Sequence, residues 1–317
     1  MRTSLLKVRL SVLVCLLTIF SFQSHSQSIT SSNGKVELGL GIGPMFFLGD
    51  LGGSAGAGKT FVKDLDFPLT KLNKGLYLNY YPAEWIGFRV AGNMGYVEGD
   101  DKEAPAKGGA EMDRRERNLN FRSKIKEAYA AIELYPTFFM EKYDGLAGKL
   151  RPYVLGGVGI FNFNPETKDV DGSWVKTAPL RLEGQGFAEY PDSKPYKLTQ
   201  MNALVGVGFK YYVKENSYIG FEILHRKLFT DYVDDVSNDY YIDPIYFDQY
   251  LPAADAVKAR RLYYRGTYSF PATRPYEEFA ERGDPTENDA YFSGIIRFGW
   301  RLGGNSATKH LKCPVFY

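Results

Sequence analysis

The sequence predicts an all-β protein, namely an eight-stranded antiparallel transmembrane β-barrel with short periplasmic turns and long extracellular loops. Three observations predict this fold class. Eight segments of about ten residues alternate between apolar and other side chains, as the strands of a membrane barrel do. The connections between these segments alternate between short and long, and the second face of the segments carries charged residues and glycine.

The first four predicted strands are each identified by one apolar face. Leu38, Leu40 and Ile42 alternate with glycines in the first, and Ile86, Phe88 and Val90 share a side of the third. The fourth aligns Ala130, Ile132, Leu134 and Phe138 in the same way. The predicted bounds are Val36–Phe47, Lys74–Tyr81, Trp85–Tyr96 and Glu127–Phe139.

The last four predicted strands repeat this pattern after residue 150. Val205, Val207 and Phe209 lie on one side of the sixth strand, and Ile296, Phe298 and Trp300 follow with the same spacing in the eighth. The predicted bounds are Pro152–Phe163, Asn202–Val213, Tyr218–Leu228 and Tyr291–Leu302.

The lengths of the connections predict which end of the barrel faces the periplasm. Short connections follow strands two, four and six, at Pro82–Glu84, Met140–Arg151 and Lys214–Ser217. Long connections follow strands one, three, five and seven, at Leu48–Asn73, Val97–Lys126, Asn164–Met201 and Phe229–Ala290. Outer-membrane barrels have short periplasmic turns and long external loops. An even number of strands then puts both termini at the periplasmic end.

Charged residues on the non-lipid face predict a filled barrel interior. An eight-stranded barrel is just wide enough for side chains to fill it, so these charges are expected to pair with one another rather than to line a pore. Five of them are basic and three are acidic: Glu37, Arg89, Glu133, Lys210, Glu222, Arg226, Arg297 and Arg301.

Composition excludes several other classes of protein. Beyond the N-terminus no run of about 18 apolar residues occurs, which excludes a membrane-spanning helix. An aromatic content of 15% excludes intrinsic disorder. The alternative that remains is a soluble β-sandwich or lipocalin-like barrel, in which the apolar face of each strand would point inward.

The chain is predicted to contain three segments: a signal peptide at 1–26, an outer-membrane β-barrel at 27–302 and a periplasmic C-terminal tail at 303–317. Arg2, Lys7 and Arg9 precede a short apolar run, and a small-residue cleavage site follows it. Removing this segment takes the net charge from +2 to −1, with 36 Lys and Arg against 37 Asp and Glu, so nucleic-acid binding is not expected. Cys313 is then the one remaining cysteine, either in an intermolecular disulfide or as a free thiol.

Motifs for enzymatic or cofactor chemistry are weak, and we predict no catalytic, cofactor-binding or metal-binding residues and no cofactor. The string Gly53–Thr60 matches a phosphate-binding loop, but Pro68 follows too soon for the required helix. His225 lies at a predicted strand end, where an interfacial role is more common than catalysis.

Two features of the longest loop leave alternatives open. The Asp-rich segment Thr230–Asp239 either binds calcium or forms solvated turns. The loop also contains a predicted helix at Ala253–Tyr263 and many tyrosines, which form either a docking surface or a layer packed on the barrel mouth. These tyrosines are Tyr240, Tyr241, Tyr246, Tyr250, Tyr263 and Tyr264.

The C-terminal tail combines positive charge, a thiol and aromatic side chains, which favours binding to a periplasmic partner. The predicted partner-binding residues are Lys309, Lys312, Cys313, Phe316 and Tyr317. The alternative is a disordered extension.

Three segments of the sequence resemble the PorG-type outer-membrane β-barrel family of the type IX secretion system. They are the Gly-rich stretch running into Phe61–Asp66, the segment Trp85–Asp101 and the segment Phe229–Ser237. The resemblance implies a non-enzymatic barrel among outer-membrane lipids that holds the periplasmic ring of the secretion machine, a lipoprotein and its partner, against the membrane. The net charge of −1 and the missing helix after Gly53–Thr60 argue, independently of the resemblance, against nucleic acid and nucleotide as ligands. The alternative function is that of an adhesin- or receptor-type barrel acting through its extracellular loops.

Overall fold

The computed structural model describes residues 36–51, 69–83, 85–103, 115, 117–136, 150–214, 216–266 and 282–302. Within these residues are ten strands and two short α-helices. The strands are β1 (Val36–Leu48), β2 (Lys71–Ala83), β3 (Ile86–Asp100), β4 (Asn120–Leu134), β5 (Leu150–Asn162), β6 (Pro165–Lys168), β7 (Trp174–Lys176), β8 (Thr199–Lys214), β9 (Ser217–Leu228) and β10 (Ala290–Leu302). The helices are α1 (Ile245–Tyr250) and α2 (Ala253–Leu262). None of the helices in this part of the chain is long and apolar enough to cross a membrane.

Eight of the strands close into an antiparallel barrel, which confirms the predicted fold class. Each of β1, β2, β3, β4, β5, β8, β9 and β10 pairs with the next in this order. The barrel closes where β10 pairs with β1, with Val36 opposite Leu302 and Leu48 opposite Ala290. The two remaining strands, β6 and β7, form a hairpin. Its first strand, β6, pairs with the beginning of β4 at Arg122 and Ser123.

The lipid-facing positions of the strands are apolar and the inward positions are polar. Exposed leucine, isoleucine, valine and phenylalanine side chains recur at every second residue of the barrel strands, as at Leu76, Val90 and Val205. Exposed aromatic side chains lie near the short-turn end, at Tyr80, Trp85, Tyr211 and Trp300. An apolar outer band with an aromatic girdle belongs to a barrel in a lipid bilayer. The soluble alternative required the opposite orientation and is wrong.

The strand β4 begins seven residues earlier than predicted. Expected at Glu127, it starts at Asn120 because Asn120–Lys126 pairs with the outer part of β3 up to Asp100. In this stretch Phe121 and Ile125 point inward, and Arg122 and Lys124 point outward. This pattern is the reverse of the lipid-facing one, so the β3–β4 ribbon extends above the lipid-facing band. The strand also ends at Leu134, and Phe138 lies outside the described residues.

All long connections leave the barrel at one end and all short turns at the other. Val36 and Leu302 are the first and last residues that the structure describes, and both lie at the short-turn end. This is the periplasmic end, and the long loops are extracellular.

Candidate functional site

The barrel interior is filled by three layers of charged and aromatic side chains. In the layer nearest the periplasm, Lys210 Nζ lies 2.8 Å from Glu37 Oε2 and 3.2 Å from Glu133 Oε2. Arg301 Nε donates to Glu37 Oε1 at 3.0 Å, and the Tyr212 hydroxyl donates to the same oxygen at 2.9 Å. The carboxylates of Glu37 and Glu133 are therefore each paired with at least one basic side chain, because a buried charge without a partner is strongly destabilising.

The middle layer bridges strands on opposite sides of the barrel. Arg89 of β3 pairs with Glu222 of β9, four strands away around the barrel, with Nη1 2.6 Å from Oε2. Arg89 also pairs with Glu133, and Arg297 pairs with the second oxygen of Glu222. The Tyr153 hydroxyl donates to Glu222 Oε2 at 2.7 Å. These side chains cross the lumen.

The upper layer contains Glu127, an interior acid that the sequence analysis missed. Arg226 Nη2 lies 3.1 Å from Glu127 Oε2, and both side chains are almost fully buried. Asn93, Asn202 and Tyr291 also donate to this carboxylate at 2.8, 2.8 and 3.0 Å. Glu127 has the same strand parity as Glu133, so alternation along β4 could have identified it. With Glu127 the interior holds four acidic and five basic members of this network.

All eight charged residues predicted for the interior point into the barrel. Eight tyrosines, which the sequence analysis did not assign to the interior, pack among them and solvate the charges with hydroxyls or ring faces. They are Tyr77, Tyr81, Tyr129, Tyr135, Tyr153, Tyr212, Tyr218 and Tyr291. Since side chains from opposite strands meet directly, this arrangement is a structural plug.

Above the charged layers the mouth of the barrel is apolar. The Phe161 ring stacks on Phe163 at 5.5 Å between centroids and meets the Tyr291 ring edge-on at 6.3 Å. Val233 and Val236, from the loop after β9, join this layer. The loop is thereby packed onto the mouth, because its valines replace water over the apolar rings.

The long loops pack against one another in a second core outside the barrel. The ring of Phe187 stacks on Tyr250 of α1 at 4.4 Å, and Phe247 packs against Tyr263 at 5.3 Å. The predicted helix is confirmed as α2. Five of the six loop tyrosines belong to this core or pack against it, and Tyr240 is exposed. The tyrosines therefore pack the loops together.

Two buried ion pairs hold the loops together above the barrel. Arg117 binds Asp101 through both carboxylate oxygens, at 2.8 and 2.9 Å, and donates to the backbone oxygen of Asp50 at 2.6 Å. Arg282 Nε lies 2.9 Å from Glu183 Oε1, and its Nη1 donates to the backbone oxygen of Tyr263 at 2.9 Å. Burial opposes the charged form of each arginine, but the partner carboxylates raise the pKa of both above the usual value.

Four aspartates lie together at one sector of the rim: Asp50, Asp231, Asp234 and Asp289. Burial raises the pKa of Asp50 to about 6. Burial and the neighbouring Asp234 carboxylate raise the pKa of Asp231 to about 9. The pKa values of Asp234 and Asp289 are raised well above the usual range, again by burial first and then by neighbouring carboxylates.

His225 is not part of the barrel interior, and several other residues considered above lie outside the part of the chain that the structure describes. His225 lies on the outward face of β9, opposite Phe292 and Val205. Ser293, on the neighbouring strand, points inward and accepts a hydrogen bond from Arg226. The signal peptide, the Gly53–Thr60 string and the tail residues Lys309, Lys312, Cys313, Phe316 and Tyr317 lie outside the described residues.

Comparisons with known proteins return outer-membrane proteins of low sequence identity. The chain is similar to Ail, the attachment invasion locus protein of Yersinia pestis, at 8% identity and a TM-score of 0.34 over 85% of this chain and 99% of Ail. It is similar to OprG from Pseudomonas aeruginosa at 12% identity and a TM-score of 0.36, over 85% and 96% of the two chains. It is similar to Neisserial surface protein A at 7% identity and a TM-score of 0.36, over 84% of this chain and 97% of that protein. No protein-family model and no curated protein matches.

The fold and the location of the protein follow from its strand pairing and its surface. A closed eight-stranded barrel with an apolar outer face and a polar interior is an outer-membrane β-barrel. The protein therefore resides in the bacterial outer membrane.

Proposed function

We propose that the protein is a non-enzymatic structural component of the type IX secretion system, which anchors the periplasmic ring complex to the outer membrane. The observation that carries this proposal is the filled lumen, in which Arg89 and Glu222 join opposite strands. A barrel plugged by its own ion pairs is suited to a rigid anchor and not to conducting solutes. The resemblance of Trp85–Asp101 and Phe229–Ser237 to PorG-type barrels supports the specific secretion system.

The position of the last strand supports a periplasmic contact. Leu302 ends β10 at the short-turn end, so residues 303–317 continue from that end of the barrel. In our proposal Lys309, Lys312, Cys313, Phe316 and Tyr317 bind the periplasmic secretion-ring lipoprotein or its partner.

The test is a crosslinked pull-down from outer membranes under non-reducing conditions. Deleting Leu311–Tyr317 is expected to release the ring components while the barrel remains folded. The matched control is Tyr240→Ala in the exposed part of the extracellular loops, which should leave the pull-down unchanged. Normal recovery of the ring proteins after the tail deletion would contradict this role of the tail. The variant Cys313→Ser tells covalent from non-covalent binding. If Cys313 forms a mixed disulfide with the partner, the band of the adduct on a non-reducing gel is lost in this variant; if binding is non-covalent, the bands are unchanged.

A second candidate function is that of an adhesin or receptor acting through the extracellular loops. It is favoured by the second core, which holds α1, α2 and the segment after β7 in one assembly with the exposed side chains Tyr240, Ile245 and Val257. The variant Tyr240→Ala/Ile245→Ala should then abolish attachment of cells to their target, and the tail deletion should not. The reverse outcome supports the anchor.

The non-enzymatic assignment has its own test. If the barrel modified membrane lipids through His225, then His225→Ala would change the mass profile of lipid A. We expect an unchanged profile.

A further inference from the structure

Three neighbouring strands of the barrel carry aspartate where they reach the extracellular rim. Asp50 follows β1 by two residues, Asp289 directly precedes β10, and Asp231 follows β9 by three residues. Since β1 pairs with β10 and β10 pairs with β9, these residues reach the same sector of the rim. Asp234, in the next turn of the chain, completes the group, which we call the rim cluster.

Two carboxylates of the rim cluster, those of Asp289 and Asp234, each accept a backbone hydrogen bond through one oxygen only. Asp289 Oδ2 accepts a hydrogen bond from the Val233 amide at 2.8 Å, and Asp234 Oδ1 accepts one from the Val236 amide at 3.0 Å. The second oxygen of each carboxylate, and Oδ2 of Asp231, are buried without a hydrogen-bond partner. Fewer than one tenth of the surface of each of these three aspartates is exposed. Such oxygens cost free energy unless something binds them.

The backbone at the rim leaves room for these carboxylates. A Cβ atom at Gly49 would stand 2.3 Å from Asp289 Oδ1, and one at Gly283 would stand 2.6 Å from Asp50 Oδ2. Glycine at both positions therefore allows the chain to pass directly against a carboxylate oxygen. Asp50 itself is partly exposed, which gives an ion a route from solvent.

The two buried arginines of the segments around the rim cluster already have carboxylate partners. Arg117, from the loop before β4, is bound bidentately by Asp101. Arg282, from the segment before β10, is paired with Glu183. Each of these pairs is neutral, so neither arginine balances the four carboxylates. Buried carboxylates without a balancing cation must either bind protons or bind a cation from solvent.

We propose that the rim cluster of Asp50, Asp231, Asp234 and Asp289 is a binding site for a divalent cation of the calcium class. Calcium takes about 6–8 oxygen ligands in flexible geometry, whereas magnesium requires a nearly ideal octahedron. Carboxylates from three strand ends and one turn match the flexible arrangement. As they stand, no three or more Asp, Glu, His or Cys side chains in the described residues are placed to hold a metal ion. Binding of calcium therefore requires these aspartate side chains to rotate until their unpartnered oxygens converge on the ion.

The proposed site also has a structural consequence. The rim cluster joins the ends of β1, β9 and β10 to the loop at 231–236, whose valines cover the apolar mouth. A bound cation fastens this loop over the plug. The extracellular assembly then depends on calcium, whereas the charged layers inside the barrel do not.

The test is titration calorimetry of CaCl₂ into the full-length barrel, purified in detergent and stripped with chelator, at pH 7.5. We expect one calcium per chain, weaker binding of MgCl₂, and at least a tenfold loss of affinity in Asp234→Asn/Asp289→Asn. The matched control is Asp192→Asn, an exposed aspartate in a different loop, with unchanged affinity. Asp231→Asn serves in place of the double variant if that variant fails the electrophoretic test for a folded barrel. Absence of calcium binding at millimolar concentration overturns the proposal and leaves protonated carboxylates as the explanation. Unchanged affinity in the folded variants overturns it as well.

Discussion

The ion pair between Arg226 and Glu127 allows a quantitative test of the interior network. It joins β9 to β4 by two contacts, Nη2 to Oε2 at 3.1 Å and Nε to Oε1 at 3.3 Å, and water reaches almost none of either side chain. Removing one partner of a buried pair leaves an unbalanced charge, at a cost of about 3–5 kcal/mol. We therefore expect Glu127→Gln and Arg226→Met each to lower the free energy of unfolding by about that amount.

Glu127→Gln carries a further cost from its hydrogen bonds. Both Glu127 oxygens accept, from Asn93 on one side and from Asn202 and Tyr291 on the other. An amide nitrogen in place of one oxygen puts a donor against a donor, and about 1 kcal/mol is lost for each hydrogen bond that cannot form. The double variant Glu127→Gln/Arg226→Met removes both charges, so its loss should be at least about 2 kcal/mol smaller than the sum of the single losses.

The measurement is equilibrium unfolding in urea of the barrel folded into lipid vesicles, with the folded fraction read from electrophoretic mobility. The control is Glu166→Gln, which breaks the 2.8 Å pair with Arg122 at the partly exposed base of the β6–β7 hairpin. Exposed pairs of this kind contribute about 0.2–1 kcal/mol. Additive losses in the double variant, or a loss after Glu127→Gln no larger than that of the control, would refute the argument that the interior is held by mutual compensation of charge.

Three further predictions concern glycine packing, the loop assembly and pH. Gly157→Ala should destabilise the barrel by about 1–3 kcal/mol, because the added Cβ would stand 2.1 Å from the Ala130 carbonyl oxygen. Gly156→Ala should be tolerated, because the nearest atom to its added Cβ is 3.9 Å away. Urea unfolding of the two variants compares their stabilities directly. Arg282→Ala leaves Glu183 buried without its cation and should open the loops to proteolysis without changing the mobility of the barrel, and the control Arg260→Ala, from a half-exposed pair with Asp248, should not. In the presence of chelator the loops should become more sensitive to protease as the pH rises from 5 to 9. The pKa values of Asp50 and Asp231 are raised to about 6 and 9, so the folded loops keep protons that the unfolded chain has already released. The stability that these protons confer is lost as the pH rises through the two raised pKa values. Besides each other, the charged groups that face these two carboxylates are Arg117, Glu183, Asp234 and Asp284. A flat pH response would show that Asp50 and Asp231 do not titrate between pH 5 and 9.

Alternation along the sequence was sufficient to predict the barrel because each strand has one face in lipid. Leu38, Val90 and Val205 fall on that face, and Glu37, Arg89 and Lys210 on the other, so a period of two places both sets without knowledge of the neighbours. The start of β4 was predicted too late for the same reason. Above the membrane the lipid no longer selects apolar residues, and Arg122 and Lys124 occupy the outward positions.

Features that depend on distant segments could not be read from the sequence. The rim cluster brings together Asp50 and Asp289, which are far apart in the chain and adjacent only because β1 pairs with β10. Arg282 reaches Glu183 across two loops, and no local pattern marks either residue as a partner of the other. The sequence predicted a calcium site or solvated turns at Thr230–Asp239, but it did not predict that Asp50 and Asp289, which flank β1 and β10, lie beside this segment.

The pairing of the first and last barrel strands has a consequence for biogenesis. Val36 and Leu302 stand opposite each other at the seam, so the final pairing of strands joins the two ends of the barrel sequence. Glu37, on one side of the seam, takes both of its cationic partners, Lys210 and Arg301, from β8 and β10. Its charge therefore remains hydrated until the seam forms. We expect the pairing of β1 with β10 and the expulsion of water from the interior to occur in one kinetic step. This step should be slow, because it joins the strands that are farthest apart in the chain. A nascent barrel held open by an insertion machine would then remain wet inside until its release.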